Sequence, residues 1–300
     1  MFRWETRPDA ISGLFESFLD LMLYSSAYLA LAAVAMVFIA ARLQGIVCTL
    51  PMMLVLFLST YAVYNMNRKT DEVEDAINHA DRYAFTKRYE KFFARSSPFA
   101  YILALGIAAI YGPFAIAVAA LPLVSGILYS SPILPARCGY RRLKEIPFVK
   151  NGVIAIAWSI TPGVIPPLFA GVSVQPSTWI ACGLFCVLAF INSVLFDMRD
   201  IAGDREANVR TIPVCLGAVQ TRCLLTMVNI VFGAALLLAG FVFLSFWRVW
   251  ILAAGSIYAQ SYIQAFDPDG PANALCDLVA DGQFIALGLL LNVGGILGLR

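Results

Sequence analysis

Asn67, Asp71 and Asp75 follow the apolar run Met52–Tyr64 at four-residue steps. On a helix such residues stack on one face, so the two carboxylates repel each other unless a cation lies between them. Asp200 and Asp204 repeat the step after a second apolar run, with Asp197 and Arg199 just before them and Arg205 just after. Hard divalent cations such as Mg2+ take oxygen ligands and bind through a few carboxylates completed by substrate phosphates. Two acidic helix ends on one membrane face therefore point to divalent-metal and phosphate chemistry, and Asn67 adds a neutral carbonyl oxygen. Cations that could answer a phosphate lie close in sequence. Arg68, Arg199 and Arg205 flank the carboxylates, and Lys144 follows Tyr140 by four residues in the loop between the two motifs.

Other chemistries lack their residues. His79 is the single histidine, so no histidine pair exists for zinc, di-iron or haem. The seven cysteines are scattered, most of them in apolar runs, and read as core residues, Cys182 and Cys186 included. There is no Gly-x-Ser-x-Gly elbow and no Gly-x-x-x-x-Gly-Lys-Ser/Thr phosphate loop. A net charge of +2 without a basic tract interleaved with aromatics gives no case for a nucleic-acid partner.

The elements that must position these residues follow from composition. The 300 residues are 60% hydrophobic and 13% charged, with mean hydropathy +0.79, whereas soluble domains run near 25% charged. An all-α integral membrane protein follows. Counting apolar runs of about 20 residues predicts nine spans, near 18–41, 46–64, 99–111, 114–129, 152–170, 179–196, 223–241, 247–265 and 284–299, in a single domain over 1–300. Pro162, Pro166 and Pro167 are expected to distort or end the fifth. No small-residue cleavage site precedes the first span, which is expected to be retained. Of the 21 Lys and Arg, 18 fall before the first span or in the stretches 67–97, 130–150 and 197–222. Alternating spans put all four segments on one side, which the positive-inside rule makes cytoplasmic, N-terminus included. The stretch 267–281, without Lys or Arg, is expected as a loop on the same side.

These motifs resemble the UbiA superfamily of intramembrane prenyltransferases. The matching residues are Asn67-x-x-x-Asp71-x-x-x-Asp75 after the second span and Asp200-x-x-x-Asp204 after the sixth, with Asp197 as an upstream acid. Tyr129-Ser-Ser-Pro132, Tyr140-x-x-x-Lys144, Lys150-Asn151, Gly203-Asp204-Arg205 and Thr211-Ile-Pro-Val214 match as well. The resemblance covers about residues 46–217. It implies a nine-helix bundle with a central cavity opening to the lipid. Two Mg2+, held by Asn67, Asp71, Asp75, Asp200 and Asp204, would bind an isoprenyl diphosphate of geranylgeranyl or related length. Lys144, Tyr140, Asp197, Arg68, Arg199 and Arg205 would contact that substrate. Ionisation would give an allylic cation, captured by a lipophilic and preferably aromatic acceptor. Arg68 departs from the pattern, since many members have an acid there. Quinone-ring, chlorophyll-type, haem-type and glycerol-phosphate acceptors stay open. So do a terpene cyclase or diphosphate hydrolase and, in another class, a cation-coupled transporter, although transporter sites lie nearer the bilayer midplane.

Overall fold

A computed structural model describes residues 18–70, 80–131, 148–206, 209–267 and 274–296, with Leu143 and Ile146 standing between them. Among the described residues all regular structure is helical. The elements are α1 (Ala27–Gln44), α2 (Leu50–Thr70), α3 (Ala80–Arg88), α4 (Glu90–Ala109), α5 (Pro113–Ser130) and α6 (Val149–Ala170). They continue with α7 (Pro176–Arg199), α8 (Ile201–Glu206), α9 (Ile212–Leu216), α10 (Ala218–Phe243), α11 (Phe246–Ala265) and α12 (Asp281–Ile296). A π-helical turn over Leu275–Ala280 leads directly into α12.

Six helical stretches are long and apolar enough to cross a bilayer: α1, α4, α6, α7, α10 and Leu275–Val293. Phe99, Ile102, Phe114, Leu238 and Ile257 lie on the outside, each more than two-thirds exposed. Such an apolar exterior suits a hydrocarbon solvent, in which helices satisfy their own backbone groups. The molecule is an integral, multi-pass membrane protein.

Three hydrophobic clusters build the bundle, the smallest joining Ala62 and Val63 of α2 to Ala100 and Tyr101 of α4, and α1 joins the two larger ones. Val37 and Ala33 of α1 pack with Met52, Val55 and Leu56 of α2, Ala115 and Ala119 of α5, and Ile165 of α6. Met36, Ile39 and Leu43 of α1 pack instead with Leu184, Phe185 and Ile191 of α7, Leu252 of α11 and Phe284 of α12. The alanine-rich face of α1 lets both lobes approach closely. Where α6 meets α7, a Cβ added at Gly163 would run into Cys182 Sγ, so only glycine fits.

Two expectations are corrected and a third is narrowed. The span 18–41 is broken at Ser25–Ser26: residues 18–24 are helical, Ser26 has φ 64°, and α1 starts at Ala27. The final span does not begin at 284, because helical structure starts at Leu275 and takes in part of the expected loop 267–281. The prolines of the fifth span do not end it: α6 runs unbroken to Ala170, where Gly171 takes φ 66°. Proline removes the N–H that would bond the carbonyl four residues earlier, and a neighbouring helix supplies a donor instead. Gln44 Nε2 donates to Gly163 O at 2.9 Å, the acceptor that Pro167 leaves open, while Thr178 Oγ1 donates to Gln44 Oε1 at 2.6 Å. Likewise Thr161 Oγ1 lies 3.2 Å from Val118 O, the acceptor left open by Pro122 in α5.

Candidate active site

Helices α2 and α7 continue for one to two turns past their apolar runs, ending at Thr70 and Arg199. Those extra turns carry the chemistry into a cavity of about 630 Å³ between α1, α2, α6, α7 and the 275–284 segment. Asn67 and Arg68 line it from α2, Lys150 from α6, and Asp197, Arg199 and Asp200 from the end of α7. Apolar rings form the rest of the wall. Tyr64 and Trp158 pack with ring centroids 5.6 Å apart, and Phe196 and Phe284 join them.

Each polar residue has a defined setting. Asp197 is buried, at 3% exposure, and accepts from Lys150 Nζ at 2.8 Å and Asn151 Nδ2 at 2.9 Å. Asn151 also donates to Ser193 Oγ at 2.9 Å, so the lysine is fixed at the cavity wall by a satisfied network. Arg199 clasps Asp200 with two bonds, Nε to Oδ1 at 2.9 Å and Nη2 to Oδ2 at 3.1 Å. It reaches Asp277 Oδ1 with Nη1 at 2.7 Å. Arg68 donates to the carbonyls of Tyr24 and Leu23, and Asn65 Nδ2 donates to Ser25 O at 3.0 Å. Those three carbonyls lie at the Ser25–Ser26 break. Arg68 therefore ties the segment 18–24 to α2, a job an acid at this position could not do.

Asp204 and Arg205, on α8, are not among the cavity-lining residues, and Arg205 is exposed. Burial pushes the Asp204 carboxyl up from 3.8 to about 6, with Lys150 opposing the shift and Asp197 and Asp200 adding to it. Its Oδ2 is buried without a hydrogen-bond partner among the described residues. A buried carboxylate oxygen in that state is what a hard cation would satisfy. Asp71, Asp75, Tyr140 and Lys144 lie outside the described residues. Within those described, no three His, Cys, Asp or Glu side chains gather closely enough to hold a metal ion.

Sequence reasoning missed Asp277 and Asp281, which line the cavity with Asp81 and Arg82. A signal was there: 277 and 281 repeat the four-residue acidic step of 71/75 and 200/204. The π turn that aims them is pinned by three other helices through consecutive carbonyls. Tyr28 OH donates to Leu278 O at 2.8 Å, Tyr258 OH to Val279 O at 3.1 Å and Asn192 Nδ2 to Ala280 O at 2.9 Å. π turns recur at functional sites because they redirect side chains within an otherwise regular helix.

The cavity thus brings acidic and cationic side chains together with an aromatic wall inside a helical membrane bundle. The chain belongs to the UbiA prenyltransferase family, whose model matches residues 27–286. Among solved structures it is similar to a UbiA homolog from Archaeoglobus fulgidus bound to GPP and Mg2+, with TM-score 0.66 and 16% identity. That match covers 90% of this chain and 98% of the other. It is equally similar in fold to an apo UbiA homolog from Aeropyrum pernix K1, with TM-score 0.65, 14% identity and the same coverage. A lycopene elongase/hydratase of Corynebacterium glutamicum is 31% identical over 98 residues, and that match takes in 33% of this chain and 31% of the relative's length.

Proposed function

We propose that this protein is a Mg2+-dependent intramembrane prenyltransferase, moving a polyprenyl group from an isoprenyl diphosphate to a lipophilic, preferably aromatic, acceptor. The observation that carries this reading is the cavity shared by Asn67 of α2 and Asp200 of α7, lined also by Arg68, Lys150 and Arg199 and by the rings of Tyr64, Trp158, Phe196 and Phe284. Family membership and the fold shared with a homolog bound to GPP and Mg2+ support it.

In this reading Asp200 and Asp204, with Asn67, Asp71 and Asp75, would hold two Mg2+, and bound metal would supply the positive charge that makes diphosphate a better leaving group. Lys150, kept charged and oriented by Asp197, faces the diphosphate. Lys144 and Tyr140 would add further substrate contacts, and Arg205, exposed on α8, would have to turn inward to join them. Arg199 changes partner as the site fills, giving up Asp200 while keeping Asp277. Arg68 contacts the substrate only from the place set by Leu23 and Tyr24. The prenyl tail runs along Tyr64, Trp158, Phe196 and Phe284, whose ring faces stabilise the allylic cation and whose apolar surface keeps water away. Nine spans in one domain, with the acidic face cytoplasmic and the cavity open sideways to lipid, would let both substrates enter from the membrane.

A second acceptor class is favoured by one observation, the likeness to lycopene elongase/hydratase: a lycopene-like polyene in place of an aromatic ring. The experiment incubates purified protein with Mg2+, geranylgeranyl diphosphate and a panel of aromatic and polyene acceptors, with products identified by mass spectrometry. A prenylated acceptor is expected. Prenyl alcohol or cyclic hydrocarbon as the sole product, formed equally without acceptor, would replace transferase by hydrolase or cyclase. Metal-dependent uptake into vesicles with no covalent product would mean a transporter.

A further inference from the structure

Among the described residues, the face of the bundle opposite the acidic cavity carries two arginines and no acid. Its connections, 45–49, 110–112, 171–175 and 244–245, contain neither Asp nor Glu. Every Asp or Glu within α1–α12 lies toward the other end of its helix, or on α3 or α8 at the cavity side. Arg42, in the last turn of α1, and Arg248, in the first turn of α11, nevertheless meet here. Their guanidinium carbons stand 6.0 and 5.4 Å from the centroid of one ring, that of Trp247. Arg248 Nη1 lies 3.4 Å from Leu43 O, which ties α11 to the end of α1. Among the described residues neither arginine has an ion-pair partner, and both Nε atoms are buried without a hydrogen bond.

Three costs coincide at this point. Two like charges repel each other. Arg248 sits at the positive end of a helix dipole, where a cation is disfavoured and an anion favoured. Both residues stand outside the segments that gather 18 of the 21 Lys and Arg. A lone arginine at a helix end escapes such costs by extending into water, but here stacking on Trp247 and burial of Nε hold both side chains down. On the same face Trp179, Phe246 and Trp250 are each more than 60% exposed, and such rings are enriched at the headgroup level of membrane proteins.

We propose that Arg42, Arg248 and Trp247 form a binding site for the phosphate of an anionic phospholipid in the leaflet away from the catalytic cavity. Paired guanidinium forks match phosphate oxygens in a way lysine does not. Among the described residues no carboxylate pairs with them. The bound lipid would clasp α1, which both lobes share, to α11.

The test takes full-length protein stripped of lipid in a neutral detergent. It is titrated with short-chain phosphatidylglycerol, phosphatidylcholine or inorganic phosphate while its thermal midpoint is followed. Phosphatidylglycerol is expected to raise the midpoint at concentrations where the other two do not. The R42Q/R248Q variant is expected to need about 25-fold more of it, at about five-fold per arginine. An unchanged response in that variant would overturn the site. Equal protection by inorganic phosphate would overturn the lipid, and equal protection by phosphatidylcholine would overturn the anionic preference. If the double variant does not fold, R248Q alone should show the five-fold step, and its absence would likewise overturn the proposal.

Discussion

Lys150 and Asp197 are paired at 2.8 Å with the carboxylate almost fully buried, so structural and substrate roles can be separated at this pair. Lys150→Met leaves a buried charge alone, a loss of about 3–5 kcal/mol for pairs broken on one side, and should lower the thermal midpoint and abolish prenyl diphosphate binding. Adding Asp197→Asn removes the stranded charge, so the double variant should regain stability without regaining binding. Calorimetry of both variants with geranylgeranyl diphosphate checks this, and recovered binding would count against a substrate role for Lys150. Asp204 sets a pH dependence. Its carboxyl is raised from 3.8 to about 6, so over that interval the unfolded chain has already lost the proton that the folded chain still holds. Stability therefore falls as pH rises from about 4 to about 6, the sign opposite to that of a salt-bridged acid. Melting in EDTA across that range should show the fall in wild type and a flatter profile in Asp204→Asn.

At the scale of elements, the carbonyls freed by proline are the most direct test of how the helices are held. Gln44→Leu removes the donor to Gly163 O and should cost about 1–3 kcal/mol, the penalty of an unmet buried acceptor. Pro167→Ala restores a backbone N–H four residues on and should suppress that loss, whereas additive losses would show that Gln44 acts elsewhere. The same detail explains what could and could not be read in the chain. Apolar runs mark where hydrocarbon is crossed but not where a helix stops. Polar residues at the ends of α2, α4 and α7 therefore read as loop although they continue the helix. Serine at 25 and 26 gives no signal for a break inside an apolar run, because the break depends on Arg68 and Asn65 taking the carbonyls from another helix. The π turn is hidden for the same reason: its three carbonyls are satisfied by Tyr28, Asn192 and Tyr258, distant in sequence.

For the whole molecule, composition was enough to give a helical membrane bundle, since 13% charged residues cannot coat a soluble domain of this size. The four-residue acidic steps led to the ends of α2 and α7. What the sequence did not carry was which helix faces which, and so the occupation of Asp200 by Arg199 and the presence of Asp277 and Asp281 at the cavity were unforeseen. Sidedness can be read with a membrane-impermeant maleimide. In right-side-out vesicles an introduced Val47→Cys, at a position 80% exposed on the arginine face, should be labelled, while Cys215 on α9 should react only after permeabilisation. The reverse pattern would invert the topology. Metal-assisted loss of diphosphate within the cavity is read most directly as diphosphate release from geranylgeranyl diphosphate by purified protein, with and without EDTA. Release is expected to require Mg2+ and to vanish in Asp71→Ala and Asp200→Ala variants that still melt cooperatively. Undiminished release in EDTA, or full activity in both variants, would rule out metal-assisted ionisation at these carboxylates.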